Sequence, residues 1–82
     1  MATDIDARGL LCPLPVLRLR KTLLSVAPGD VVRMIATDAM AQIDVPHFCA
    51  EQGHEVQAIT DLGNGVTEFR VARGFNPTGD PC

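Results

Sequence analysis

The residue in this chain best suited to chemistry is Cys12, set in the run Gly9-Leu10-Leu11-Cys12-Pro13-Leu14-Pro15. A thiol attacks only as the thiolate, and a helix N-terminus lowers its pKa because the first-turn amides carry partial positive charge. The segment after Cys12 opens a helix: proline fits the first turn, where no intrahelical hydrogen bond is removed. Cys12 is therefore expected at the amide end of that helix, with an anionic sulfur accepted by free amides. Pro13 and Pro15 stiffen the turn, and Arg8 and Arg18 are near enough in sequence to add positive potential. The plain alternative makes Cys12 a small buried hydrophobe ahead of an ordinary proline-started helix. Composition alone weighs the two readings equally.

Two other cysteines, Cys49 and Cys82, complete the set. Cys49 falls in an apolar stripe with Val45 and Phe48 and reads as a packed core thiol, with a resolving thiol for Cys12 as the sharper alternative. Cys82 ends a Gly- and Pro-rich tail and reads as an incidental thiol. An odd count, wide gaps and no Cys-x-x-Cys argue against a disulfide framework and for a reducing compartment. Asp44, His47, Cys49 and His54 follow no zinc-ligand spacing, so neither a metal nor another cofactor is expected. Asp38 reads as a helix cap, with a site role beside Cys12 as the second choice. Arg18, Arg20 and Lys21 form either a solvated helix face or a docking patch for an acidic partner surface.

The elements that must position these residues follow from periodicity. Asp4 to Ala7 alternates as a short strand, and Val16 to Leu24 repeats as a helix. That helix's apolar stripe reads as Leu17 and Leu24, widened by Val16, Leu19 and Leu23. Pro28-Gly29-Asp30 stops it. Val31 to Thr37 is a second strand. A second segment, irregular and then helical, runs from Asp38 to about Gln52 and stops at Gly53; Pro46 either places the regular start near residue 46, with Asp44 or Val45 at the cap, which is the favoured reading, or kinks the helix there. His54 to Thr60 alternates with Val56 and Ala58 on one face. Leu62-Gly63-Asn64-Gly65 turns the chain, and Val66 to Ala72 returns with Thr67, Phe69 and Val71 together. The order βαβαββ predicts an α/β (α+β) fold in which two helices cover one face of a four-stranded sheet. Residues 1–73 make one domain, and residues 74–82 read as a flexible tail.

Composition narrows the function. The chain of 82 residues carries a net charge of -3 and has no Trp or Tyr. A phosphate backbone needs concentrated cations, and single strands need aromatic platforms, so direct nucleic-acid binding is not expected. No stretch has the pattern of a signal peptide or a membrane span, which predicts a cytoplasmic protein with no membrane partner.

Asp6-Ala7-Arg8-Gly9-Leu10-Leu11-Cys12-Pro13-Leu14-Pro15 resembles the signature of the TusA/SirA sulfur-carrier family, Asp-x-x-Gly-x-x-Cys-Pro-x-Pro. The likeness continues through Lys21-Thr22-Leu23, Pro28-Gly29, Ala36-Thr37-Asp38 and Asp44-Val45-Pro46-His47-Phe48. It covers roughly residues 4 to 73. It implies a two-layer α/β sandwich with a mixed sheet. It further implies a carrier whose Cys12 accepts sulfane sulfur as a persulfide and passes it on, with Gly9, Pro13, Leu14 and Pro15 shaping the site. Implied donors are a cysteine desulfurase or a rhodanese-like protein. Implied acceptors are relay proteins of tRNA 2-thiouridine synthesis, sulfur oxidation or molybdenum-cofactor supply. Ala39 replaces a Pro common in the family, and Leu14 stands where some members are acidic, which leaves the pathway open. A persulfide is a reversible state of a reactive thiol, so such a relay needs no complete acid-base machinery of its own. A monomer is the simplest expectation. The competing readings are a thiol-disulfide redox protein and a non-catalytic regulatory binding module.

Overall fold

A computed structural model describes residues 3–74. The elements are β1 (Thr3–Ala7), α1 (Leu14–Ser25), β2 (Val31–Ala36), α2 (Ala41–Gln52), β3 (Glu55–Gly63) and β4 (Val66–Ala72). They form the expected βαβαββ order and one four-stranded mixed sheet, β1-β2-β4-β3. β1 runs parallel to β2, while β4 is antiparallel to both of its neighbours.

Register decides what is buried. Ile5, Met34 and Phe69 lie side by side across β1, β2 and β4, as do Ala7, Ala36 and Thr67. Laterally paired residues point to the same face. That face carries the core, and both helices cover it with Pro15, Leu19 and Leu23 from α1 and Ala41, Val45, Phe48 and Cys49 from α2. Fully burying a leucine such as Leu19 or Leu23 contributes roughly 1.5–3 kcal/mol. The opposite face is polar: Glu68 is ion-paired to Arg33 across the strands and to Arg70 along its own.

Three sequence expectations are corrected here. The buried seam of α1 runs through Pro15, Leu19 and Leu23, spaced four apart, whereas Leu17 and Leu24 are about half exposed. A strict seven-residue repeat drifts around a 3.6-residue helix, so Leu17 and Leu24 share a side without sharing the core. Val56 and Ala58 do not share a face. Val56 pairs with Val71 and Ala58 with Arg70, because a bulge inserts Gln57 and reverses the alternation. The third concerns α2, which begins at Ala41 and runs through Pro46. Its first turn is closed by amides of Ala41, Gln42 and Ile43 reaching three residues back, to Asp38, Ala39 and Met40. The helix is thus under way before the proline, and the lost bond of one missing N–H is tolerated because Val45 and Phe48 on either side are buried.

The remaining turns follow their residues. Gly53 closes α2 in the left-handed conformation. Asn64 and Gly65, both at positive φ, make the two-residue hairpin turn. Gly74, placed by sequence in the tail, donates its amide to His54 Nδ1 at 2.9 Å. The rest of the expected tail, with Cys82, lies outside the described residues. Among the described residues, no helix is long and apolar enough to cross a membrane.

Candidate functional site

Parallel pairing creates the site. Ala7 at the end of β1 lies opposite Ala36 at the end of β2, so the segments after both strands leave the sheet on the same side. In open α/β sheets, the space beyond the carboxyl ends of such strands is where sites form. Residues 8–13 and 37–40 meet there.

The first segment is tied down residue by residue. Asp6 grips Arg8 through both its amide and a two-point contact with the guanidinium. These bonds hold the Asp6 carboxyl down at about 2. Gly9 turns the chain at a φ of 80° and donates its amide to Thr37 Oγ1 at 2.9 Å. Such a φ strains any residue with a Cβ. The Leu10 amide reaches Ala7, and the Leu14 amide reaches Leu11. The Cys12–Pro13 peptide bond is cis.

Cys12 is exposed, and two carboxylates from the second segment and α2 face it. Asp38 Oδ2 accepts the Cys12 amide at 2.6 Å, while its Oδ1 accepts the Met40 amide at 3.0 Å. Asp38 therefore steers the entry to α2 and pins the cysteine backbone. The Cys12 thiol donates to Asp44 Oδ2 at 3.0 Å. This hydrogen bond, then desolvation, then the negative charges of Asp44 and Asp38 raise the thiol above its ordinary value.

That direction is opposite to the one expected from a helix N-terminus. α1 starts at Leu14 with Pro13 at the cap, so Cys12 lies one residue farther out than the sequence reading placed it. Pro13 and Pro15 have no amide, and the Leu14 amide is committed to Leu11. The turn that was to cradle an anion is largely stripped of donors. Arg8 is held by Asp6, and Arg18 acts on Asp6 instead. The charges that act on Cys12 are both acidic.

The other candidates are distributed as follows. Pro15 is fully buried and anchors α1, while Pro13 and Leu14 are exposed beside Cys12. Leu11 on the cysteine loop is also exposed, as are Met40 and Ile43 around the start of α2. Arg18 and Lys21 line an open groove between α1 and β1 with Asp4, Asp6, Leu14 and Leu17. Arg20 is not on that groove, since two residues beyond Arg18 a helix has turned through about 200°, to its other side. Cys49 is buried, and loss of hydration pushes its thiol up to about 12. His47 pairs with Glu51 at 3.4 Å, and His54 packs on Phe48; neither is a partner of Cys12. Asp44 is the site residue that sequence reading passed over as a cap. Its signal was present, three residues before the exposed His47–Glu51 pair and inside the likeness to the family segment, but nothing in the sequence aimed it at Cys12.

Comparison with known proteins decides the kinship. The family model described as Sulfurtransferase TusA matches residues 3–73. This chain belongs to the TusA family. A sulfur carrier protein TusA of Pseudomonas paraeruginosa is 44% identical over 52 residues, which is 63% of this chain and 66% of that protein. The sulfur carrier protein TusA of Allochromatium vinosum is 40% identical over 70 residues, 85% of this chain and 91% of its own. Among solved structures, a SirA-like protein from Desulfitobacterium hafniense superposes with a TM-score of 0.79 at 28% identity, covering 90% of this chain and 99% of the other. The two-layer TusA architecture is thus shared along nearly the whole domain.

Proposed function

We propose that this TusA-family chain is a sulfur carrier that accepts sulfane sulfur as a persulfide on Cys12 and relays it to an acceptor protein. The observation that carries the reading is the contrast between an exposed thiol at the family's Cys-Pro-x-Pro corner and a second thiol sealed in the core. Relatives named as sulfur carriers support it. The donor is a cysteine desulfurase or a rhodanese-like protein. The destinations implied by the kinship are tRNA 2-thiouridine synthesis and sulfur oxidation. The protein works as a cytoplasmic monomer, with residues 1–73 as the carrier domain. Exposed Leu11 and Leu14, with Arg18 and Lys21 along the adjoining groove, meet the partners. Aromatic-poor, acidic composition leaves RNA contact to those partners.

The test is sulfur loading. The chain is incubated with a cysteine desulfurase and cysteine, and its intact mass is read. A gain of one sulfur, reversed by reductant and lost in Cys12→Ser, is expected. Equal loading of Cys12→Ser would remove Cys12 from the role. A thiol-disulfide cycle through Cys49 is disfavoured, because that thiol is buried and held protonated.

A further inference from the structure

We infer that Asp44 is a proton-holding residue for Cys12: in the free carrier its carboxylate keeps the thiol protonated, so that sulfur acceptance begins only when this hydrogen bond opens. The inference rests on the carrier reading, in which Cys12 Sγ is the accepting atom. It stands on geometry. The thiol donates to Asp44 Oδ2 at 3.0 Å from an exposed position where water could have served instead. Asp38 fixes the Cys12 amide from the same side at 2.6 Å, so the sulfur is not free to swing its backbone away. Asp44 itself is placed by the early start of α2, in the first turn of the helix.

The charged groups around the sulfur agree in sign. From α2 there is Asp44, and from the segment before it Asp38. On the cysteine's own segment, Arg8 is committed to Asp6. From α1, the charge of Arg18 is felt at Asp6. His47 on α2 is paired with Glu51. The raised thiol pKa is the consequence of this arrangement.

The transfer step balances without an oxidant. Cys12 gives up its proton, and its sulfur forms an S–S bond to the terminal sulfur of the donor's persulfide. The donor's own S–S bond breaks, leaving its electron pair on the donor cysteine. That thiolate takes up the proton Cys12 released. One thiol and one persulfide become one persulfide and one thiol. Once loaded, Cys12 Sγ carries no hydrogen, so the bond to Asp44 cannot re-form until the sulfur has been passed on. The empty carrier is therefore quiet and the loaded one is not.

The test is the pH dependence of Cys12 alkylation by iodoacetamide in the full chain, followed by peptide mapping, with folding checked by circular dichroism. Asp44→Asn keeps the shape and removes the charge. Its alkylation midpoint is expected to fall by about one pH unit, which makes alkylation near neutrality about tenfold faster. Asp44→Glu, with a carboxylate again, is expected to return the midpoint toward wild type. A folded Asp44→Asn with an unchanged or higher midpoint overturns the inference, as does a folded Glu variant that behaves like Asn. Should Asp44→Asn fail to fold, Asp44→Ala takes its place in the same assay: a lowered midpoint is expected, and a folded Ala variant with an unchanged or higher midpoint overturns the inference. No sulfur enters this measurement, so it and the loading assay can fail independently.

Discussion

The two ends of α2 hold two thiols whose proton affinities are raised for unlike reasons. At its C-terminal end, Cys49 is raised to about 12 by burial alone. Near its N-terminal end, Asp44 raises the exposed Cys12 through a hydrogen bond and a charge. Burial is a property of the whole core and changes only when the core opens. A hydrogen bond at the surface is local, and a partner can break it. The first thiol is inert for as long as the protein is folded; the second is restrained in a way that contact can undo.

Alkylation of the native protein gives the widest separation. A thiol at about 12 is a thiolate about once in 10⁵ molecules at pH 7, and the Cys49 sulfur is also covered. Iodoacetamide is expected to modify Cys12 at least about 10³-fold faster than Cys49. Denaturant should bring the two rates together. Comparable rates in the folded protein would erase the distinction between core and rim.

Replacing the core thiol by a hydroxyl sharpens the same contrast. Cys49→Ser buries a stronger hydrogen-bonding group among Val45, Phe48 and the sheet, and is expected to destabilise the fold by about 1–3 kcal/mol in denaturant titration. Sulfur loading on Cys12 should be unchanged in the folded fraction. The same thiol also shapes the alkaline limb. Between the ordinary value of 9.0 and about 12, the folded state keeps a proton that the unfolded state loses. Stability therefore falls as pH rises through that window. Cys49→Ala should lose less Tm there than wild type. At the other end of α2, Asp38→Ala removes the acceptor of both the Cys12 and Met40 amides and is expected to lower stability by about 1 kcal/mol. It should also loosen the cysteine loop, seen as faster amide exchange at Cys12.

Much of this was legible in order along the chain. Strand alternation, the Asn64-Gly65 turn, Gly53 as a helix stop and the buried character of Cys49 are local consequences of residue type, and local rules read them. The motif residue Asp6 acts within a few positions of itself as a brace on Arg8, and Gly9 turns the chain by its own conformation. The failures share a different cause. The bulge at Gln57 is a matter of register against β4, which the alternation of β3 alone does not carry. α2 starts before Pro46 because the segment around Asp38 closes its first turn. The sign of the charge at Cys12 is set by a residue thirty-two positions away. A helix N-terminus predicts activation only if its amides are free and nothing acidic stands opposite. Here two prolines and one loop bond remove most of the donors, and two aspartates supply the opposite charge.

Leu14 offers the smallest effect on the fold and the finest test of the comparison. It stands between the two prolines, with 49% of its surface exposed, while Leu19 on the same helix is sealed. Truncating a leucine in a sealed position leaves a cavity and destabilises by about 2–5 kcal/mol. Leu14→Ala leaves none, so its stability is expected to stay within about 0.5 kcal/mol of wild type. The side chain nevertheless belongs to the same exposed corner, two residues from Cys12. If that rim is where a donor seats, Leu14→Ala should raise the donor concentration needed for half-maximal loading while the pH midpoint of Cys12 alkylation stays fixed. A change in the midpoint with no change in loading would place Leu14 with the groups that set the thiol's proton, and would move the boundary between restraint and docking from Asp44 to the helix start.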